Sequence, residues 1–137
     1  MTSTLIDTNI WIDLLDDGPF YRPSLHSVIE AGEVEQVIMS AVVWAELSAT
    51  LDTEADIERA YSIVSYRRED FSFSAANRAG QAHRAYRRRG GRRERTLPDF
   101  LIGAHAHTGG HRLLTRDPVR YRTYFPDLAI VTPEGTP

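Results

Sequence analysis

Four short apolar runs, separated by stretches of helical periodicity, constrain the fold of this chain more than any other feature. Residues 4–6, 36–39, 112–115 and 128–131 have the length and residue types of buried strands. Between them lie segments that read as helices: 10–15, 23–30 ended by Ala31-Gly32, 41–51 capped by Ser40, 53–67, 74–89 and 97–109, then a short one holding Tyr121, Tyr124 and Phe125. Strands alternating with helices predict a parallel sheet covered on both faces, a three-layer α/β/α domain. The first run stops at Asp7 and passes directly into Thr8, Asn9 and an amphipathic helix. Ligands of open α/β sheets bind outside the carboxyl ends of the strands, so Asp7 is the first candidate for chemistry.

The 137 residues are 42% hydrophobic and 26% charged, which supports a single core and one domain over 1–137. Cysteine is absent, so a disulfide framework, a thiolate nucleophile and a thiolate metal site are excluded. No apolar run reaches the roughly 20 residues of a membrane span, and no basic flank precedes a long apolar core at the start. The expectation is a soluble cytoplasmic protein without a membrane partner. The net charge of −3 conceals a polarity: residues 1–58 hold 12 acids against Arg22 alone, whereas residues 59–95 hold 11 arginines against 3 acids. A site that gathers carboxylates beside a surface that attracts polyanions has this signature. All 16 basic residues are arginine, so no catalytic lysine exists.

Four acids stand out. Asp7 ends a strand, and it is equally a good N-cap for the helix that follows. Glu46 lies in the second turn of its helix, too deep for a capping box, next to Leu47 and on the face of Val42 and Val43. A glutamate on an apolar face needs compensation or must reach to solvent. Asp99 fits the spacing of a capping box with Thr96, with Pro98 in the first turn, while small Gly103, Ala104 and Ala106 would let its helix approach the sheet closely. Asp117 opens an Asp-Pro turn and repeats Asp7's position just past a buried strand. Together these suggest a carboxylate cluster, stable only with cations, and oxygen ligands imply a hard ion such as Mg²⁺ or Mn²⁺. Such sites hydrolyse phosphodiesters. Thr8, Asn9 and Thr115 are placed to orient the carboxylates.

Leu5-Ile6-Asp7-Thr8-Asn9-Ile10, Ala45-Glu46-Leu47, Pro98-Asp99-Phe100-Leu101-Ile102-Gly103-Ala104 and Leu114-Thr115-Arg116-Asp117 resemble, in order and spacing, the PIN-domain ribonucleases, in particular VapC-type toxins of bacterial toxin–antitoxin pairs. The resemblance covers nearly the whole chain. It implies an Mg²⁺-dependent endoribonuclease in which Asp7, Glu46, Asp99 and Asp117 hold the metal, with Mn²⁺ as a substitute. It further implies RNA products with 5′-phosphate and 3′-hydroxyl ends, a homodimer or larger assembly, and a small antitoxin that covers the active site. Nothing is carried onto Arg116 or Tyr121, where the family varies.

Arg84, Arg87, Arg88, Arg89, Arg92, Arg93 and Arg95 crowd a segment just before Asp99 that contains Gly90-Gly91, and the expectation there is a loop that is either solvated or holds RNA phosphates. If it holds phosphates, reversing charge at Arg88 and Arg92 flattens the salt dependence of binding. The alternative function is a non-catalytic RNA-binding module that uses residues 84–95. An aspartyl-phosphate phosphatase or a receiver domain also begins with a strand ending in Asp. The phosphatase wants a second Asp where Asn9 stands, and both want a lysine that this chain lacks. His105 and His107 point to different helix faces, and two glycines separate His111, so a histidine metal site is not expected. Trp11, Ile12 and Leu15 read as core, or in part as a groove for an antitoxin helix.

Overall fold

The computed structural model describes residues 2–91 and 97–133. Five strands and seven helices follow one another as β1 (Ser3–Ile6), α1 (Thr8–Asp13), α2 (Tyr21–Val34), β2 (Gln36–Ser40), α3 (Ala41–Ser48), α4 (Glu54–Ala60), β3 (Tyr66–Glu69), α5 (Phe73–Arg88), α6 (Leu97–Gly109), β4 (Arg112–Leu114), α7 (Pro118–Tyr124) and β5 (Ile130–Val131). The strands form one parallel sheet in the order β3-β2-β1-β4-β5.

β1 is central because it is apolar enough to be covered on both faces: Leu5 and Ile6 are wholly buried. Successive side chains alternate between those faces. Thr4 donates to Glu35 at the end of α2, whereas Ser3 contacts His111 beyond α6. Ile10, Trp11, Ile38, Leu47, Ile57, Ile102 and Leu113 close the core, each contributing about 1.5–3 kcal/mol by leaving water. The edge of Trp11 meets the Tyr61 ring at 4.7 Å, and the Tyr61 hydroxyl donates to the Trp11 carbonyl at 2.8 Å. Trp11 is therefore core, while Ile12 stays partly exposed.

The register aligns the carboxyl ends of the inner strands. Ile6 pairs with Leu114, so Asp7 and Thr115 emerge side by side, and the Asp7 N–H donates to the Leu114 carbonyl at 2.9 Å. Ser40 ends β2 on the same edge and caps α3 by accepting from the Val42 N–H at 3.2 Å. α5 and α6 form an antiparallel hairpin, and α5 ends as glycine requires: Gly90 has φ +84°, its N–H donates to the Arg87 carbonyl, and the Gly91 N–H reaches the Tyr86 carbonyl. A Cβ on Gly91 would lie 2.3 Å from the Tyr86 ring, so the second glycine is needed for space.

Two elements depart from the sequence reading. The 53–67 segment is a helix only to Ala60, and Tyr66–Glu69 is an edge strand beside β2. The helix predicted to stop at Ala31-Gly32 continues to Val34, since a lone glycine costs a helix only about 1 kcal/mol and packing overrides it.

Candidate active site

Asp7 caps α1 and also lines a cleft at the carboxyl edge of the sheet. One carboxylate oxygen accepts from the Thr8 N–H at 2.7 Å; the other accepts from the Thr115 hydroxyl at 2.7 Å and the Tyr121 hydroxyl at 3.1 Å. It is only 5% exposed. Burial pushes its pKa up to about 6 against the pull of those hydrogen bonds, and the nearby Asp99 charge adds to the rise. Burial and the charges of Asp7, Asp99 and Glu46 raise the Tyr121 hydroxyl, so it stays a protonated donor.

Glu46, Asp99 and Asp117 line the same open cleft as Asp7, of about 380 Å³. Glu46 projects from α3 and accepts from the Thr8 hydroxyl at 2.6 Å, so one residue at the start of α1 touches two acids. Asp99 lies in the first turn of α6 and pairs with Arg120 of α7. Thr96, its expected capping partner, falls outside the described residues. Asp117 precedes α7, but its side chain makes no cap hydrogen bond there; instead its N–H donates to the Thr115 hydroxyl at 3.0 Å, leaving the carboxylate exposed in the cleft. Asn9 accepts from the Arg116 N–H at 3.4 Å and donates to Thr115 at 3.5 Å, which ties the turn after β4 to α1. The three supporting residues named from sequence all contact this edge.

Three further residues were not singled out by the sequence. Tyr121 reaches Asp7 because α6 carries glycine where α7 crosses it: a Cβ on Gly103 would lie 2.5 Å from the Phe125 ring and 3.0 Å from Tyr121. The small residues of α6 thus admit α7 as well as the sheet. Arg120 brings a guanidinium to Asp99. Arg116 forms a bidentate pair with the buried Asp13, at 2.6 and 3.0 Å, and stacks over Phe20 at 4.0 Å. Ser24 of α2 donates to the same Asp13 at 2.6 Å. The only signal for these in sequence is helical phase after Pro118, which puts Tyr121 one turn into α7.

Arg84, Arg87, Arg88 and Arg89 are exposed around the carboxyl end of α5, so this part of the basic segment is helix and cap, not loop. Aromatic rings connect it to the cleft wall. Tyr86 packs against Tyr124 at 5.9 Å and lies under Arg120 at 6.0 Å, while Arg89 sits over Tyr124 at 5.4 Å. Arg92, Arg93 and Arg95 lie outside the described residues.

His105 and His107 face apart as helix phase predicts, but His105 and His111 come together, which the sequence did not show. His107 stands apart, near Phe125, but His105 and His111 meet at Glu69, the last residue of the strand that sequence did not reveal.

The five-stranded parallel sheet, its carboxyl-edge acids and the α5–α6 hairpin define a class of α/β domain, and comparison with known proteins identifies it. The PIN domain profile matches residues 4–126, so the chain belongs to the PIN domain family. No curated protein matches it in sequence. Solved structures with the same fold include VapBC2 from Rickettsia felis bound to a DNA fragment from its promoter, with TM-score 0.74 and 17% identity over 97% of this chain and 100% of that one. A toxin–antitoxin complex from Klebsiella pneumoniae gives 0.68 and 24% over 95% and 97%. VapBC-1 from nontypeable Haemophilus influenzae gives 0.70 and 18% over 96% and 98%.

Proposed function

We propose that this cleft hydrolyses RNA phosphodiester bonds with a divalent cation, Mg²⁺ or Mn²⁺, and that the chain is the toxin of a toxin–antitoxin pair. The observation that carries the reading is Asp7, a buried carboxylate fixed by three donors and pushed up by burial and by a second acid across an open cleft. Such an arrangement is costly by itself and is relieved by a cation.

The donor set fits that cation. Asp7, Asp99, Asp117 and Glu46 offer only oxygen, the preference of a hard ion. Among the described residues the cleft holds no three carboxylate oxygens as tightly grouped as the Glu69, His105 and His111 donors. An ion held by such spaced ligands keeps waters or substrate oxygens in its shell, as Mg²⁺ commonly does. When bound, it would supply charge against the scissile phosphate and lower the pKa of water.

The protein's own part is positioning. A carboxylate has about four acceptor sites, and Asp7 spends three on protein donors, leaving one for the ion. Thr8 holds Glu46, which either ligates or orients the attacking water. Arg120, paired with Asp99, is placed to transfer its guanidinium to a phosphate oxygen of the substrate. Arg84, Arg87, Arg88 and Arg89 extend the cationic path along the RNA backbone. The VapBC likeness and the acidic cleft favour a small antitoxin partner with basic residues, and the PIN resemblance a homodimer.

Cleavage of a labelled RNA pool by purified protein tests the reading. Cutting with Mg²⁺ or Mn²⁺, its loss in EDTA and its loss in Asp7→Asn are expected. Binding without cutting under every metal condition would favour the non-catalytic RNA-binding module.

A further inference from the structure

We propose that Glu69, His105 and His111 form a second metal site, distinct from the acidic cleft and suited to Zn²⁺ or a similar borderline ion such as Co²⁺ or Ni²⁺. The two Nε2 atoms lie 2.8 and 2.6 Å from the same Glu69 oxygen, and all three donor atoms fall within 4.8 Å of one another. Two imidazoles and one carboxylate are an established Zn²⁺ donor set that leaves a fourth position for water. Metal–ligand bonds of about 2.0–2.2 Å put tetrahedral donors roughly 3.3 Å apart, so binding asks Glu69 to draw back from each histidine by about half an ångström.

The surroundings are those of a built site. Both histidines are buried, at 2% and 7% exposure, while Glu69 is partly exposed and lines a surface pocket together with Ser40. Each ring also contacts a serine through Nδ1: His105 meets Ser40 at 3.0 Å, and His111 meets Ser3 at 2.5 Å. Ligating histidines characteristically donate their other N–H to an oxygen, which fixes the tautomer. A carboxylate oxygen only accepts, so a neutral ring that faces Glu69 through Nε2 carries its proton there and accepts from the serine hydroxyl at Nδ1. With metal, the proton of each neutral ring moves to Nδ1, the hydroxyls turn to accept it, and both Nε2 lone pairs become available with no net proton lost.

Chain geometry brings the trio together. Gly110, with φ +72°, reverses the chain after α6, and Gly109 leaves room for the His111 ring, which a Cβ would approach to 2.8 Å. The ion would join the end of β3 to α6 and to the start of β4. His105 and Asp99 share α6, less than two turns apart, so the clamp would steady the helix that serves the acidic cleft.

Metal binding to four proteins tests this: wild type, the Asp7→Asn/Asp99→Asn double variant, Glu69→Gln and His111→Gln. Glu69→Gln keeps an acceptor for both histidines and is expected to fold. Co²⁺ should give the intense visible bands of a four-coordinate ion in wild type and in the double variant. Zn²⁺ should raise the melting temperature of both, and Glu69→Gln should weaken Zn²⁺ binding at least about tenfold. No Zn²⁺ binding by wild type would overturn the proposal, leaving a hydrogen-bonded trio. So would binding that survives Glu69→Gln and His111→Gln but disappears in the double variant, since the ion would then sit in the acidic cleft.

Discussion

At the scale of single residues, Asp7 shows how one side chain serves structure and site together. Its capping role and its place among other acids looked like rival readings in the sequence; the two carboxylate oxygens divide them, one capping α1 and the other meeting Thr115 and Tyr121. Its elevated pKa has a measurable consequence in metal-free protein. Because the folded state holds the proton more tightly than the unfolded chain, this group's contribution is most favourable below pH about 3.8 and declines as pH rises through about 6. The full shift corresponds to a penalty on the order of 3 kcal/mol at neutral pH. In EDTA, Asp7→Asn should therefore melt above wild type at pH 8, with the gap closing toward pH 4. Thermal melts across that range check it, and a wild type that melts higher at pH 8 would contradict it. That these four acids would meet at one cleft was legible because each interrupts a strong local pattern. Tyr121, Arg120 and Asp13 were not, since their partners lie 114, 21 and 103 residues away and no local rule links them.

At the scale of elements, the apolar strands and amphipathic helices were legible from periodicity, and the glycines at 90 and 91 from their refusal of helix. β3 was not, because Tyr66-Arg67-Arg68-Glu69 is an edge strand with an exposed, charged middle and continues a helical pattern in sequence. Missing β3 also concealed the histidine site, whose carboxylate it supplies. The contact between α6 and α7 depends on Gly103. Gly103→Ala would place a methyl against the buried Phe125 ring and displace Tyr121 from Asp7. A loss of about 1–3 kcal/mol is expected, read as a lower urea midpoint with unchanged slope. An unaltered midpoint would show that α7 tolerates the shift and does not fix Tyr121.

At the scale of the molecule, the charge polarity of the sequence becomes spatial. Acids from the first and last parts of the chain meet at the carboxyl edge of the sheet, and the exposed arginines of α5 stand beside the wall formed by Tyr86, Tyr124 and Arg120. No helix of the described residues is long and apolar enough to cross a membrane. If the arginines hold RNA phosphates, Arg84→Glu/Arg88→Glu should weaken binding to RNAs of any sequence alike and reduce the slope of log affinity against log salt by about 1 for each phosphate no longer neutralised. An unchanged slope would confine RNA to the acidic cleft. The central claim is that these carboxylates direct water, and not the RNA's own 2′-hydroxyl, at the phosphate. The chemistry of the cut ends tests it most directly. Products of wild-type cleavage in Mg²⁺ should carry 5′-phosphate and 3′-hydroxyl ends, and RNA with 2′-deoxy sugar at the cut site should still be cleaved. Cyclic 2′,3′-phosphate ends, or resistance of the deoxy substrate, would contradict the account.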